Sequence, residues 1–217
     1  MNTSVSPSQS HSTASIEGAR SIGIIGAGQI GSAVARALAR HGIPAVLANS
    51  RGPASLQALI SELGPSIRAV SRDEAAMADI VLVAVNWSKL GDALAGLDLR
   101  GRIVIDANNP IEPPTFQPAD LKGRSSSDVF SDLVPGARVV KAFNHLPALL
   151  LSNDPRSEGG QRVLFFSSDD AQAKREVAWL IESLGFLGID LGSLAAGGRL
   201  AEIPGGSLAI HNLVKFG

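Results

Sequence analysis

Gly26, Gly28 and Gly31 stand in the spacing G-x-G-x-x-G, directly after the apolar run Ser21–Ile25 and before a stretch with helical periodicity. In that setting the first glycine makes the tight turn out of a strand. The second lets the backbone approach a pyrophosphate, and the third lets the helix pack close to the strand. The start of such a helix offers free N–H groups and a partial positive charge to phosphates. Dinucleotide enzymes that use NAD place an acidic residue about 20 positions further on, where it accepts the ribose hydroxyls. Here that place reads Asn49-Ser50-Arg51. A carboxylate would repel a 2′-phosphate, whereas an arginine grips one through two parallel hydrogen bonds. The expected cofactor is therefore NADP(H), with Ser50 and Arg51 at its 2′-phosphate.

Three further segments could frame the reacting end. Val85-Asn86-Trp87 and Ala107-Asn108-Asn109-Pro110 close two apolar runs and should border the nicotinamide half. Asn108 and Asn109 either bond the ribose or carboxamide, or shape an Asn-Pro turn. Trp87 either walls the cofactor pocket or packs beneath it. In Lys141-Ala-Phe-Asn-His145, Asn144 or His145 is the candidate to face a substrate, against the ordinary reading of His145 as a hydrogen-bonded structural residue. Lys141 falls inside an expected strand, an unusual place for a charge. No Ser-His-Asp set, carboxylate pair or metal-ligand cluster stands out, and His11, His41, His145 and His211 are scattered. That pattern fits direct hydride transfer, in which the cofactor carries the chemistry and the protein aligns the two rings.

The elements that must position these residues alternate. Strands are expected at Ser21–Ile25, Ile43–Ala48, Ile67–Val70, Asp79–Val85, Arg102–Ala107, Arg138–Phe143, Val163–Ser167 and Phe186–Leu191. Helices are expected at Gln29–His41, from Pro53 to Leu63, from Ser71 through Met77, from Ser88 to Leu97, at Ser127–Leu133 and at Ala171–Leu184. The proline-rich stretch 108–125 reads as a loop, 152–161 as a surface loop, and Leu194–Phe216 as a broken helix. Repeated βα units imply an α/β fold: a Rossmann-type, doubly wound parallel sheet with right-handed crossovers. We divide the chain into a Ser/Thr-rich disordered tail (1–20), a nucleotide-binding domain (21–145) and a small C-terminal α/β extension (146–217).

The 217 residues suffice for one sizeable core. A net charge of −1 leaves no electrostatic footprint for nucleic acid or an anionic membrane. The absence of cysteine excludes disulfides, thiolate catalysis and Cys-type metal sites. No apolar run nears the roughly 20 residues of a membrane span, and no secretory pattern opens the chain. A cytoplasmic enzyme acting on a small molecule is expected, with no metal.

The segments Ile22–Gly31, Asn49–Pro53, Asp106–Pro110 and Val139–Asn144 together resemble the NADPH-dependent coenzyme F420 reductase family. Wider relatives are pyrroline-5-carboxylate reductase-type N-terminal domains and the cytosolic domains of STEAP metalloreductases. The resemblance runs from Ser21 over nearly the whole chain. It implies a homodimer that passes hydride between NADPH and a deazaflavin lying over the nicotinamide. It places Gly28, Gln29 and Ile30 at the pyrophosphate, Ser50 and Arg51 at the 2′-phosphate, and Val85, Asn86 and Ala107 beside the nicotinamide. Asn144 and Gly205–Leu208 would approach the acceptor. Asn86 departs from the proline found in many relatives, and Ala196–Phe216 matches less firmly. The acceptor is thus F420 or a flavin (FMN or FAD). Two other readings stay open: an imine or carbonyl reductase with His145 as proton donor, and a non-catalytic NADPH sensor signalling through the N-terminal tail.

Overall fold

The structure is a computed structural model that describes residues 20–157 and 159–217. The expected tail therefore lies, but for Arg20, outside the described residues. The chain opens with β1 (Ile22–Ile25), α1 (Gln29–Arg40), β2 (Ala45–Ala48), a 3-10 turn at Pro53–Leu56, α2 (Gln57–Leu63) and β3 (Ile67–Ala69). It continues with α3 (Arg72–Ala76), β4 (Ile80–Val83), a 3-10 turn at Trp87–Lys89, α4 (Leu90–Leu94) and β5 (Ile103–Asp106). A hairpin of β6 (Ile111–Glu112) and β7 (Gln117–Pro118) precedes α5 (Ser126–Leu133) and β8 (Arg138–Ala142). The remainder is α6 (Ala148–Ser152), β9 (Arg156–Ser157), β10 (Gly160–Ser167), α7 (Ala171–Ser183) and β11 (Leu187–Asp190). A single π-helical turn at Leu194–Gly198, α8 (Arg199–Ala201) and β12 (Val214–Phe216) complete it.

The main sheet runs β11-β10-β8-β5-β4-β1-β2-β3. From β3 to β8 every pairing is parallel. Strand order reverses between β1 and β4, so the fold is a doubly wound Rossmann-type α/β sheet whose switch point lies there. Each central strand is buried on both faces, and alternate residues feed two separate cores. Ile22, Ile24, Ile80, Leu82, Ile103 and Ile105 meet Leu38 of α1 and Ile181 of α7 on one face. Ile25, Val81, Val83 and Val104 meet Ala75 of α3, Leu90 and Leu94 of α4 and Phe130 of α5 on the other. This two-residue alternation, with apolar residues on both faces, explains why the strands read as unbroken apolar runs.

Four features depart from the sequence-based expectation. First, β10 is antiparallel to β8, although parallel to β11. The connection from β8 carries only the five-residue α6 and no full crossover, which a parallel return requires. Second, Pro110–Pro118 is a hairpin, not a plain loop. Third, 152–161 contains the short strand β9 and the start of β10, and α6 before it was not expected. Fourth, the C-terminal stretch ends in a strand, β12, paired with the start of β10; edge pairing satisfies backbone groups that the broken-helix reading left to water.

Pairing of β10 with β8 involves only Phe166↔Ala142 and Ser167↔Lys141. The preceding residues Gly160–Phe165 therefore run past the carboxyl end of β8, an overhang of about 20 Å at strand rise. β9 and β12 pair with this overhang. A third, small core of Val163, Phe165 and Ala201 with Leu187, Leu191 and Leu208 seals the C-terminal segment against it. The extension thus stands as a wall above the edge of the sheet where ligands bind in this architecture. Among the described residues, no helix is long and apolar enough to cross a membrane.

Candidate active site

Gly26 leaves β1 with φ +110°, and its N–H donates to Ala48 O at 2.9 Å. A Cβ there would lie 2.1 Å from Ala84 O, so only glycine joins the ends of β1, β2 and β4 this closely. At Gly31 a Cβ would lie 1.8 Å from Gly26 O, because α1 is pressed onto the turn. Gly28 differs: a Cβ would meet nothing within 4 Å. It is the N-cap of α1, makes no side-chain cap, and is followed by no acidic residue in the first turn. The first N–H groups of a helix have no partner within it. Gly28 and Gln29 are exposed and Ile30 is half-buried. The turn is therefore a cradle open to an external anion, with room that a side chain at Gly28 would fill.

Beside it, the loop after β2 is braced by Asn49. Its Oδ1 accepts from the Arg51 N–H at 3.0 Å, and its Nδ2 donates to Ser55 Oγ at 2.9 Å. Asn49 thus holds the loop, and Ser50 and Arg51 are turned outward and exposed. Arg51 makes no ion pair among the described residues. An exposed arginine at the end of β2 could grip a 2′-phosphate, and no carboxylate ends that strand to oppose it.

On the other side of the switch point, Asn108 is buried and staples two strand ends. Its Oδ1 accepts from Val85 N at 2.9 Å, and its Nδ2 donates to Val83 O at 3.1 Å and Asp106 Oδ1 at 2.8 Å. Its amide is thereby committed to shaping the Val85–Asn86 loop, and Asn86 is exposed there. Trp87 is half-buried and packs against the second core. Ser88 N donates to Glu112 and so ties the β6–β7 hairpin to the same loop. Ala107 is buried in the first core.

The end of β8 joins these loops to the C-terminal wall. Lys141 and Asp106 are 1% and 0% exposed and form an ion pair at 2.8 Å. Lys141 also donates to Asn108 O at 2.6 Å and to Ser126 Oγ at 3.2 Å, which satisfies all three of its N–H groups. Asn144 Nδ2 donates to Asn109 Oδ1 at 3.1 Å and Ala201 O at 2.9 Å, and Asn109 Oδ1 also accepts from Ile203 N at 3.0 Å. Asn144 and Asn109 therefore bind the C-terminal segment to the sheet edge. His145 is fully buried, with neither ring nitrogen hydrogen-bonded, and its ring lies 4.8 Å from that of Phe165. Burial pushes its pKa down to about 4. It is a neutral core residue and faces no open site, so the sequence-based assignment of His145 as proton donor is not supported by its position. Ser126 and Glu202 carried no motif, and Asp106, though it opens the Asp106–Pro110 segment, was given no role of its own. Ser125-x-x-Asp128, the capping box that opens α5, is a pattern in the chain that could have directed attention to Ser126.

Fold and site together define an NADP(H)-dependent oxidoreductase of the Rossmann type. A family model described as NADP oxidoreductase, coenzyme F420-dependent, matches residues 21–110. A crystal structure of a hypothetical protein from Sinorhizobium meliloti is 48% identical, with a TM-score of 0.86 over 90% of this chain and 96% of that one. A structure from Arthrobacter sp. FB24, to which an F420-dependent NADP-reductase activity is provisionally assigned, is 31% identical. Its TM-score is 0.68 over 82% of this chain and 86% of that one. The rat metalloreductase STEAP3 is 31% identical over 186 residues, 84% of this chain but 36% of the relative. The chain thus spans about a third of the length of the curated relatives it matches. It belongs to the family of coenzyme F420-dependent NADP oxidoreductases.

Proposed function

We propose that the protein transfers hydride between NADPH and a planar deazaflavin such as coenzyme F420, or a flavin-like ring such as FMN or FAD. The observation that carries the cofactor half is the open, uncapped start of α1 at Gly28 together with the exposed Arg51, which makes no ion pair among the described residues. The acceptor half is supported by the wall built from the β10 overhang and the Ala201–Leu208 segment. It stands beside the loops of Val85–Asn86 and Asn108–Asn109, where the nicotinamide end falls in this architecture.

In this reading Gly28, Gln29 and Ile30 hold the pyrophosphate, and Ser50 and Arg51 hold the 2′-phosphate. The Val85–Asn86 loop, fixed by Asn108, sets the height of the nicotinamide. NADPH, when bound, supplies a hydride from its nicotinamide C4, and the acceptor ring takes up that hydride with one proton from solvent. The protein contributes alignment of the two rings and exclusion of water, and such positioning suffices for large accelerations. A flavin-like acceptor needs no buried acid to polarise it, in keeping with the neutral, enclosed His145.

The test is NADPH oxidation by the purified protein with F420, FMN, FAD and no acceptor in parallel, repeated with NADH. Turnover that needs a deazaflavin or flavin and prefers NADPH is expected. Binding of NADPH without turnover of any of them would refute the proposal.

A further inference from the structure

Glu202 lies between the two backbone tethers of the C-terminal segment, Ala201 O to Asn144 and Ile203 N to Asn109. Its carboxylate turns away from solvent toward the first turn of α5. Oε2 accepts from Ser126 N at 3.2 Å and from the Ser126 hydroxyl. Ser125 is the N-cap of this eight-residue helix, so the carboxylate lies at the positive end of the α5 dipole. The Ser126 hydroxyl has one proton to give. It accepts from Lys141 at 3.2 Å, so its own proton is directed to Glu202. Lys141 in turn is held by Asp106 at 2.8 Å. A continuous line of charge-assisted hydrogen bonds thus runs from the buried end of β5, through β8 and α5, to a partly exposed residue on the C-terminal segment. Nothing in the packing of the sheet requires that line to reach so far. The small core of Ala201 and Leu208 on Val163 and Phe165 already gives the segment apolar contact.

We propose that Glu202 is a positioning residue for the acceptor: latched to Ser126 and the Lys141–Asp106 pair, it fixes the Ala201–Leu208 segment as the outer wall of the acceptor site. The inference rests on the hydride-transfer reading above and names the residue that sets where the acceptor ring sits. The Asp106–Asn108 end of the same network shapes the Val85–Asn86 loop under the nicotinamide. One hydrogen-bonded unit therefore holds both sides of the gap across which hydride must pass. Removing the latch should loosen the acceptor wall and leave the pyrophosphate cradle, on the far side of the switch point, unchanged.

The experiment compares wild type, Glu202→Ala and Glu202→Gln by steady-state kinetics with NADPH and F420, FMN or FAD, alongside NADPH fluorescence titration. Loss of a charge-assisted hydrogen bond corresponds to roughly a tenfold change or more. The expected result for Glu202→Ala is an acceptor KM raised about tenfold with an unchanged NADPH Kd. Glu202→Gln keeps an oxygen for the Ser126 hydroxyl and should recover most of that loss. An unchanged acceptor KM in Glu202→Ala, or an NADPH Kd that rises in parallel with it, would overturn the proposal. Amide exchange at Gly205–Leu208 is measured on the same proteins. Faster exchange in Glu202→Ala is expected, and equal exchange would show that no latch exists. Absence of turnover in the wild type would instead refute the functional reading, while the exchange data would still decide the latch.

Discussion

Replacing Gly28 by alanine separates the folding role of the glycine-rich turn from its binding role. Gly28 has φ −78° and ψ −162°, extended backbone that alanine adopts freely, and its added methyl would meet no protein atom within 4 Å. Alanine is a poorer N-cap than glycine, by roughly 0.5–1 kcal/mol. It also restricts the unfolded chain, which returns about 0.4–1 kcal/mol. The two terms nearly cancel, so thermal unfolding should shift by no more than a few degrees. Binding is another matter. The methyl would occupy the open space at the first N–H groups of α1 and push the pyrophosphate away from them. Losing one or two charge-assisted hydrogen bonds, each about 1.5–3 kcal/mol, weakens NADPH binding by roughly 10-fold to beyond 100-fold. Gly31→Ala provides the contrast: its methyl would stand 1.8 Å from Gly26 O, and the protein should lose several kcal/mol of stability. NADPH fluorescence titration and thermal unfolding of both variants decide the matter. A Gly28→Ala protein that binds NADPH like wild type would refute the placement of the pyrophosphate.

Arg51→Ala should weaken NADPH binding by about 10-fold or more and leave NADH binding unchanged, because only the 2′-phosphate distinguishes the two; titration with both cofactors checks it, and equal loss for both would count against a 2′-phosphate role. Lys141→Met leaves Asp106 charged and unpaired in the core, at a cost of about 3–5 kcal/mol, whereas Lys141→Met with Asp106→Leu should recover part of that stability in denaturant unfolding. The folded pKa of His145, about 4, lies below the unfolded value near 6.5. The unfolded chain therefore binds the extra proton between these values, and stability is full above about pH 6.5 and falls as pH drops toward 4. The loss is on the order of 3 kcal/mol. Unfolding curves at pH 7 and pH 4.5 should show it in wild type and far less in His145→Leu; identical slopes would place the titration elsewhere.

Much of this architecture is legible in the chain because two-sided burial leaves an unmistakable pattern. Ile80–Val83 and Ile103–Asp106 feed both cores and so read as unbroken apolar runs. The glycine spacing and the missing acid after β2 point to the nucleotide and its phosphate by local chemistry alone. What the sequence leaves obscure is non-local. The direction of β10 depends on what fills its connection, which holds the short α6 and no crossover helix, and β12 forms where the overhang of β10 offers it an edge. The apolar run Val163–Phe166 is compatible with either direction. Lys141 stands out as a charge within a strand, but its partners Asp106 and Ser126 lie 35 and 15 positions away, and Glu202 joins them only through Ser126, so the group converges only through the fold. His145 looks chemical in a linear reading, and only burial against Phe165 shows it to be a core residue.

Isotope transfer tests the central claim most directly. NADPH carrying deuterium at the transferable C4 position is incubated with the protein and F420, and the reduced deazaflavin is analysed by mass spectrometry and NMR. Direct hydride transfer between aligned rings predicts one deuterium retained at the ring carbon of the product, with unlabelled NADP+ left behind. A reduced deazaflavin that carries no label, or no reduction of F420, FMN or FAD, would contradict the account.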